Sequence, residues 1–283
     1  MEFNAIDWNA MWQEESKHSQ LQNISRKERW DKRADNYSRR IDRAVTGKEE
    51  LKKDDYIYQM LDRIEVKPEW TVLDIGCGPG TLTIPLARKV KSVTALDISS
   101  EMLKHLKINA DNSGISNIRY LNSSWQDAFA GRLAGVHDVV VASRSLMSGD
   151  MKEAMSNIIA ITGQAAYLTF PAIHLPFDWE VYRAIGRTRQ KHPPYIYIYN
   201  MLYQMGKQAN VEMLSSRVKV QFRSIDEAIA SLQWRTEPFT TDEEARLRDY
   251  LERKFAEQEN SPVFTHEGKS KWALIWWKKE DQE

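Results

Sequence analysis

Cysteine is almost missing from this chain: among 283 residues only Cys77 carries a thiol. That excludes an intrachain disulfide and any metal site built on several thiolates. Neither sign of charge dominates, since 40 basic residues balance 40 acidic ones. With no excess of positive charge there is no strong field to draw in nucleic acid or an anionic membrane, which argues against a nucleic-acid substrate. No apolar run approaches the ~20 residues needed to cross a bilayer. The opening stretch, MEFNAIDWNAMWQEESKH, has neither the basic cap nor the apolar centre of a secretory signal, so the expected location is the cytoplasm. Internal repeats and low-complexity tracts are also absent.

What is present is an ordinary globular composition, 42% hydrophobic and 28% charged, in a chain long enough for one large domain with appendages. Residues 1 to 66 lack proline and carry Trp8, Trp12, Trp30, Tyr37, Tyr56 and Leu61 at roughly helical spacings, which predicts two or three helices. Lys67 and Pro68 end that pattern. Short β-rich runs follow at Thr71 to Ile75, Ser92 to Leu96, Asn117 to Leu121, Asp138 to Ala142 and Ala165 to Phe170. Each is mostly apolar, as strands covered on both faces must be. Helical segments alternate with them at Leu82 to Lys89, Ser100 to Asn112 and Met151 to Thr162, which means right-handed βαβ units and a doubly wound α/β sheet. Beyond Pro171 the order loosens into a proline- and aromatic-rich stretch. A strand is expected between Val211 and Phe222, then a helical section over Ser224 to Gln258 and a last strand over Lys271 to Lys278.

The densest chemical signal is Val72-Leu73-Asp74-Ile75-Gly76-Cys77-Gly78-Pro79-Gly80, at the end of the first strand and just before a helix. Alternate glycines let a backbone turn sharply and approach a ligand where a Cβ would intrude. A nicotinamide-binding turn requires the spacing G-x-G-x-x-G. Here residue 81 is Thr and the third glycine falls one residue early, at Gly80. The pattern Asp74-x-Gly76-x-Gly78-x-Gly80 resembles the first motif of class I S-adenosylmethionine-dependent methyltransferases. The resemblance covers Trp30 to Phe170, and the C-terminal part in outline.

That resemblance implies a Rossmann-like, doubly wound, seven-stranded sheet with helices on both faces. The last strand would run antiparallel between the fifth and sixth. It divides the chain into an N-terminal helical lid (1–66), a cofactor-binding core (67–172), and a remainder of the same domain with an aromatic and helical insertion (173–283). It implies S-adenosylmethionine as cofactor and S-adenosylhomocysteine as product. Asp74 would hold the methionine ammonium, and Gly76, Cys77, Gly78 and Gly80 would make room for the amino acid and ribose. Because this cofactor is a sulfonium zwitterion without phosphate, a carboxylate at the turn is chemically apt. Asp97, ending the second strand, would accept the ribose hydroxyls or else cap the following helix. Ile98 and Met102 would lie near the adenine, with Trp125 stacked on it and Gln126 or Asp127 bonded to its amino group. Tyr37, in a segment resembling the family's lid, and Ser143 would touch the methionine end.

For catalysis two residues are candidates. Arg144 follows the fourth strand and either binds a carboxylate or phosphate on a small substrate or serves as a structural arginine. His174, just past the fifth strand, either acts as general base or is a polar loop residue. The turn Ala142-Ser143-Arg144-Ser145-Leu146-Met147 lacks the Asn/Asp-Pro-Pro-aromatic pattern, against methylation of adenine N6, cytosine N4 or glutamine. Tyr195, Tyr197, Tyr199 and Tyr203 line a substrate pocket or pack on the sheet. The sequence reading is transfer to an O, N, S or C nucleophile on a small molecule by a monomer or homodimer, with no metal. A nicotinamide-dependent oxidoreductase and a non-catalytic S-adenosylmethionine-binding protein are the alternatives.

Overall fold

The five β-rich runs become parallel strands β1 (Thr71–Ile75), β2 (Ser92–Asp97), β3 (Ile118–Asn122), β4 (His137–Ser143) and β5 (Thr162–Ile173). Two further strands, β6 (Asn210–Phe222) and β7 (Phe264–Lys278), complete a seven-stranded sheet of order β3-β2-β1-β4-β5-β7-β6. Strand β7 is antiparallel to both of its neighbours, the arrangement expected from the resemblance. This computed structural model describes residues 5–17, 26–45, 55–146, 148–173, 176–187, 193–233, 238–258 and 263–280.

The helices are α1 (Trp8–Lys17), α2 (Arg26–Val45), α3 (Tyr56–Arg63), α4 (Thr83–Ala87), α5 (Ser100–Asn112), α6 (Trp125–Ala130), α7 (Met151–Ile161), α8 (Pro176–Ile185), α9 (Tyr195–Gln204), α10 (Ile225–Gln233) and α11 (Thr241–Ala256). Their starts are written in the sequence. Ser99, Ser124, Asp150 and Thr240 each accept a first-turn N–H, and Thr240 with Glu243 closes a reciprocal capping box at α11.

Side chains alternate across the sheet and so build two cores. On one face Leu73, Val140, Leu168 and Ile275 pack with Ile158 of α7 and Ile198 of α9. On the other, Val72, Val139, Tyr167 and Leu274 pack with Met60 of α3 and Leu86 of α4. Helix α1 is anchored on the first of these faces. Trp12 of α1 is buried against Phe170, and its indole N–H donates to the Ser148 carbonyl at 2.8 Å. Asn9 Oδ1 accepts from Met151 N and Lys152 N, so α1 also caps α7.

Strand β5 pairs with β7 only from Lys271 to Lys278, so the first half of β7 continues with β6 as a two-stranded ribbon beyond the carboxyl end of β5. Phe222 and Phe264 on this ribbon form a separate cluster with Val181 of α8, Ile229 of α10 and Leu247 of α11. The final strand thus starts at Phe264, seven residues before the expected Lys271. The tyrosine-rich stretch is helix α9. Tyr197 is buried and Tyr195 and Tyr199 lean on the same core, so the packing alternative holds for these three, whereas Tyr203 is exposed. Among the described residues no helix is long and apolar enough to cross a membrane.

Candidate functional site

In a doubly wound sheet the carboxyl ends of the strands diverge at the point where strand order reverses, here between β1 and β4. The glycine bend after β1 occupies that point. It is folded against the end of β2 by hydrogen bonds from Gly76 N and Cys77 N to the Leu96 carbonyl, at 2.7 and 3.1 Å. Gly76, Gly78 and Gly80 have φ of 70°, 55° and 97°, which L side chains rarely adopt. Beyond that shared demand their reasons for being glycine differ. A Cβ on Gly76 would collide with Ser145, whose hydroxyl donates to the Ile75 carbonyl. A Cβ on Gly80 would collide with Leu106 of α5. At Gly78 the nearest atom is in the Tyr37 ring, 3.9 Å away. Gly78 therefore leaves bare backbone facing the open side of the bend.

Two carboxylates flank this bend. Asp74 is 2% exposed and accepts from Thr83 Oγ1 at 2.6 Å. Burial pushes its pKa up to about 6, opposed by the Thr83 hydrogen bond and reinforced by Asp97. Asp97 Oδ2 accepts from Gly78 N at 2.8 Å and Oδ1 from Ser99 N at 2.9 Å. Its pKa too is raised by burial, against those backbone hydrogen bonds. Ser99 caps α5, so Asp97 is not that helix's N-cap. The Ile98 backbone adds a third interaction with the Asp97 carboxylate, after those of Gly78 and Ser99. Asn122 of β3 fixes the loop beyond by donating to the carbonyls of Asp97 and Ile98.

The remaining side of the cleft is made by helices and by the turn after β4. Tyr56 of α3 is buried with its hydroxyl between Ser143 Oγ and Thr169 Oγ1, 2.8 Å from each. Arg144 lies over the Tyr56 ring, 4.4 Å from the centroid, and 5.8 Å from that of Trp272. Its side chain is exposed, and one guanidinium N–H donates to Tyr37 Oη at 3.4 Å. Tyr37, Tyr56, Asp74, Gly76, Gly78 and Arg144 line a cleft that is partly open to solvent. Helix α2 is tied down beside it: Asp31 accepts from Ser99 Oγ at 2.6 Å, and Asp35 meets His105 at 2.9 Å.

The structure thus brings together Tyr37, Asp74, Gly76, Cys77, Gly78, Ser143 and Arg144 around one cleft. Asp97 stands on the other side of the bend, followed by half-buried Ile98 and fully buried Met102. Trp125 opens α6, half-buried and 5.8 Å from Phe129, with Gln126 exposed beside it. Asp127 is engaged in the cap of α6 by Ser124. Gly80 serves the packing of α5 on the bend. His174 lies outside the described residues. Of the described histidines, His105 pairs with Asp35 and His137 sits at the start of β4 with Thr94 Oγ1 at 2.9 Å. Sequence reading missed Tyr56, whose part depends on β4 and β5, and Asp31, whose partner is 68 residues away. Among the described residues no group of three or more His, Cys, Asp or Glu is placed to hold a metal.

Comparison with known proteins adds a sequence family described as a methyltransferase domain, which matches residues 72–163. An uncharacterized protein of Haemophilus influenzae is 34% identical over 223 residues, spanning 78% of this chain and 81% of that one. A 23S rRNA (uracil(1939)-C(5))-methyltransferase of Aliivibrio fischeri is 31% identical over 71 residues, but the match spans only 16% of its length. A putative methyltransferase from Bacillus halodurans shares the fold, with a TM-score of 0.52 at 15% identity over 79% of this chain and 98% of that one. The rRNA enzyme among these relatives removes the expectation against nucleic acid, because balanced net charge does not exclude a local basic surface.

Proposed function

The chain belongs to the class I S-adenosylmethionine-dependent methyltransferases, and we propose that it methylates a small-molecule nucleophile in the cleft between the glycine bend, Tyr37, Tyr56 and Arg144. The observation that supports the small-molecule reading is that two helices stand over the glycine bend and bring Tyr37 and Tyr56 against it. Helices α2 and α3 are held against α5 and the sheet by Asp31, Tyr56 and the buried Met60. A long polymer needs an open groove past the reacting atom; a small acceptor needs a cavity that excludes water.

The residues present fit the family's cofactor. The bare backbone at Gly78 admits a ligand, and buried Asp74 and Asp97 are carboxylates without a cation among the described residues. In our reading Asp74 holds the methionine ammonium, and Gly76, Cys77 and Gly78 pass beneath the amino acid. Gly80 keeps the bend packed on α5. Asp97 accepts from the ribose hydroxyls. Ile98, Met102, Trp125 and Gln126 border the adenine, and Tyr37 and Ser143 border the methionine end. The bound cofactor supplies an activated methyl group on a sulfonium. What the chain adds is orientation and exclusion of water, which can account for most of the acceleration in such a displacement without a protein base. Helices α2 and α3 act as the lid through Tyr37 and Tyr56, and S-adenosylhomocysteine is the product.

The test is transfer of a labelled methyl group from S-adenosylmethionine into a cell extract, followed by separation of small molecules from RNA and protein. We expect label in the small-molecule fraction. Label confined to RNA or protein refutes the acceptor class, and calorimetric binding of NADH in place of S-adenosylhomocysteine refutes the cofactor assignment.

A further inference from the structure

Arg144 is held in a way that packing alone does not require. It is one of two non-glycine residues with positive φ among the described residues, at 58°, a conformation that costs strain in any residue with a Cβ. Its backbone N–H is nonetheless locked, donating to Thr169 Oγ1 at 3.0 Å. The guanidinium lies between the Tyr56 ring and Tyr37, 5.8 Å from the Trp272 ring on β7, in the same cleft as the glycine bend. The guanidinium stacks on Tyr56 and touches Tyr37 through one N–H, leaving most of its donor fork open to the cleft. Among the described residues its partners are Tyr37, Tyr56 and Trp272, and no carboxylate is among them. The nearby acids Asp74 and Asp97 are instead engaged by Thr83, Gly78 and Ser99.

We propose that Arg144 is a carboxylate receptor and that the methyl acceptor is a carboxylic acid, its anion held by the free edge of the guanidinium while Tyr56 and Trp272 fix the plane of the fork. A planar fork matches a carboxylate with two parallel hydrogen bonds, and ring stacking sets its direction before the ligand arrives. Stacking on Tyr56 and the Thr169 hydrogen bond hold the guanidinium on the β4 and β5 side of the cleft, while its contact with Tyr37 keeps it within reach of the methionine end. This rests on the small-molecule reading above, and it adds the charge and class of the molecule.

The cofactor's own methionine also carries a carboxylate, so the test separates the two sources. Wild-type protein saturated with S-adenosylhomocysteine is titrated with benzoate and with its neutral isostere benzamide, followed by ligand-observed NMR. Benzoate should bind and benzamide should not. Arg144→Gln should abolish benzoate binding, and Arg144→Lys should weaken it several-fold. Arg144→Gly, which adopts the φ without strain, stands in if the Gln variant does not fold. Affinities of Arg144→Gln for S-adenosylhomocysteine and for 5′-methylthioadenosine, which lacks the amino-acid group, should both stay within about threefold of wild type. The proposal is overturned if benzoate fails to bind the loaded wild type. It is equally overturned if the variant loses tenfold or more for S-adenosylhomocysteine while keeping methylthioadenosine, because the arginine then serves the cofactor. Failure of wild-type protein to bind S-adenosylhomocysteine at all counts against the underlying cofactor reading instead.

Discussion

Asp74 is the residue where stability and function should pull hardest against each other. Its carboxyl is buried, and desolvation raises its pKa from 3.8 to about 6. A raised carboxyl pKa means that the folded chain binds the proton more tightly than the unfolded chain. Stability therefore falls as pH rises through the window from 3.8 to 6 and stays low above it. Two pKa units correspond to roughly 3 kcal/mol of cost to the empty protein at pH 8. Asparagine removes the charge while keeping an acceptor for Thr83 Oγ1. Any cost of its unpaired amide donor does not depend on pH, so the diagnostic quantity is a slope.

Between pH 4.5 and pH 8 the stability of Asp74→Asn relative to wild type should rise by about 2 kcal/mol, on the order of 4 °C in melting temperature for a chain of this size. In the same variant, affinity for S-adenosylhomocysteine should drop ~10- to 100-fold, the worth of a charge-assisted hydrogen bond to the ammonium. Wild-type binding should weaken in parallel as pH falls below 6, where the carboxylate takes up its proton. Thermal melts of both proteins across that range, with and without S-adenosylhomocysteine, provide the measurement. If the difference between variant and wild type is flat with pH, Asp74 is not a desolvated carboxylate. If the variant binds as tightly as wild type, the ammonium assignment is wrong.

The two outer tests of the bend exploit the different surroundings of its glycines. Gly78→Ala should keep the fold, losing roughly 1 kcal/mol to the backbone conformation, yet cut S-adenosylhomocysteine affinity by more than tenfold, because its methyl group enters the open side of the bend. Gly80→Ala should instead destabilise by about 2–4 kcal/mol, since the strain adds to a clash with Leu106; urea melts distinguish the two. Tyr56→Phe removes the hydroxyl shared by Ser143 and Thr169 and should cost about 1–3 kcal/mol by leaving buried partners unmatched, read in the same melts. Asp31→Ala should speed hydrogen exchange in α2 without altering that of α7, because Asp31 ties α2 to Ser99 at the start of α5.

The sheet was legible wherever a strand is covered on both faces. The runs of β1, β2, β4 and β5 are continuous apolar stretches because α3 and α4 pack on one side and α7 and α9 on the other. The ribbon was not, and its residues show why. From Thr265 to Lys271 the sequence is THEGKSK, whose outward side chains face water and whose pairing is supplied by β6, so no local apolar period marks a strand. Helix α6 is missing from the helices expected from the sequence for a related reason. Its six residues are too few to show a helical period, and the signal that does exist is the cap, Ser124 with Asp127.

At the cleft the same division runs between backbone and side chain. The bend is specified within nine consecutive residues, because a tight turn between a strand and a helix constrains its own φ values and therefore its own composition. The opposite wall has no such local rule. Tyr37, Tyr56, Ser143, Thr169 and Trp272 come from separate elements, and each is an ordinary core or surface residue in its own segment. Only the register of β4 against β5, which sets Ser143 opposite Thr169, and of β5 against β7 gathers them. A cofactor common to a family can be bound by a motif, whereas an acceptor particular to one enzyme is bound by whatever the sheet's edges bring into range. Arg144 belongs to the second kind but carries one trace of the first: a left-handed arginine in a turn, whose conformational cost is offset by the Thr169 hydrogen bond and by the stacking of its guanidinium on Tyr56, partners that come from other elements.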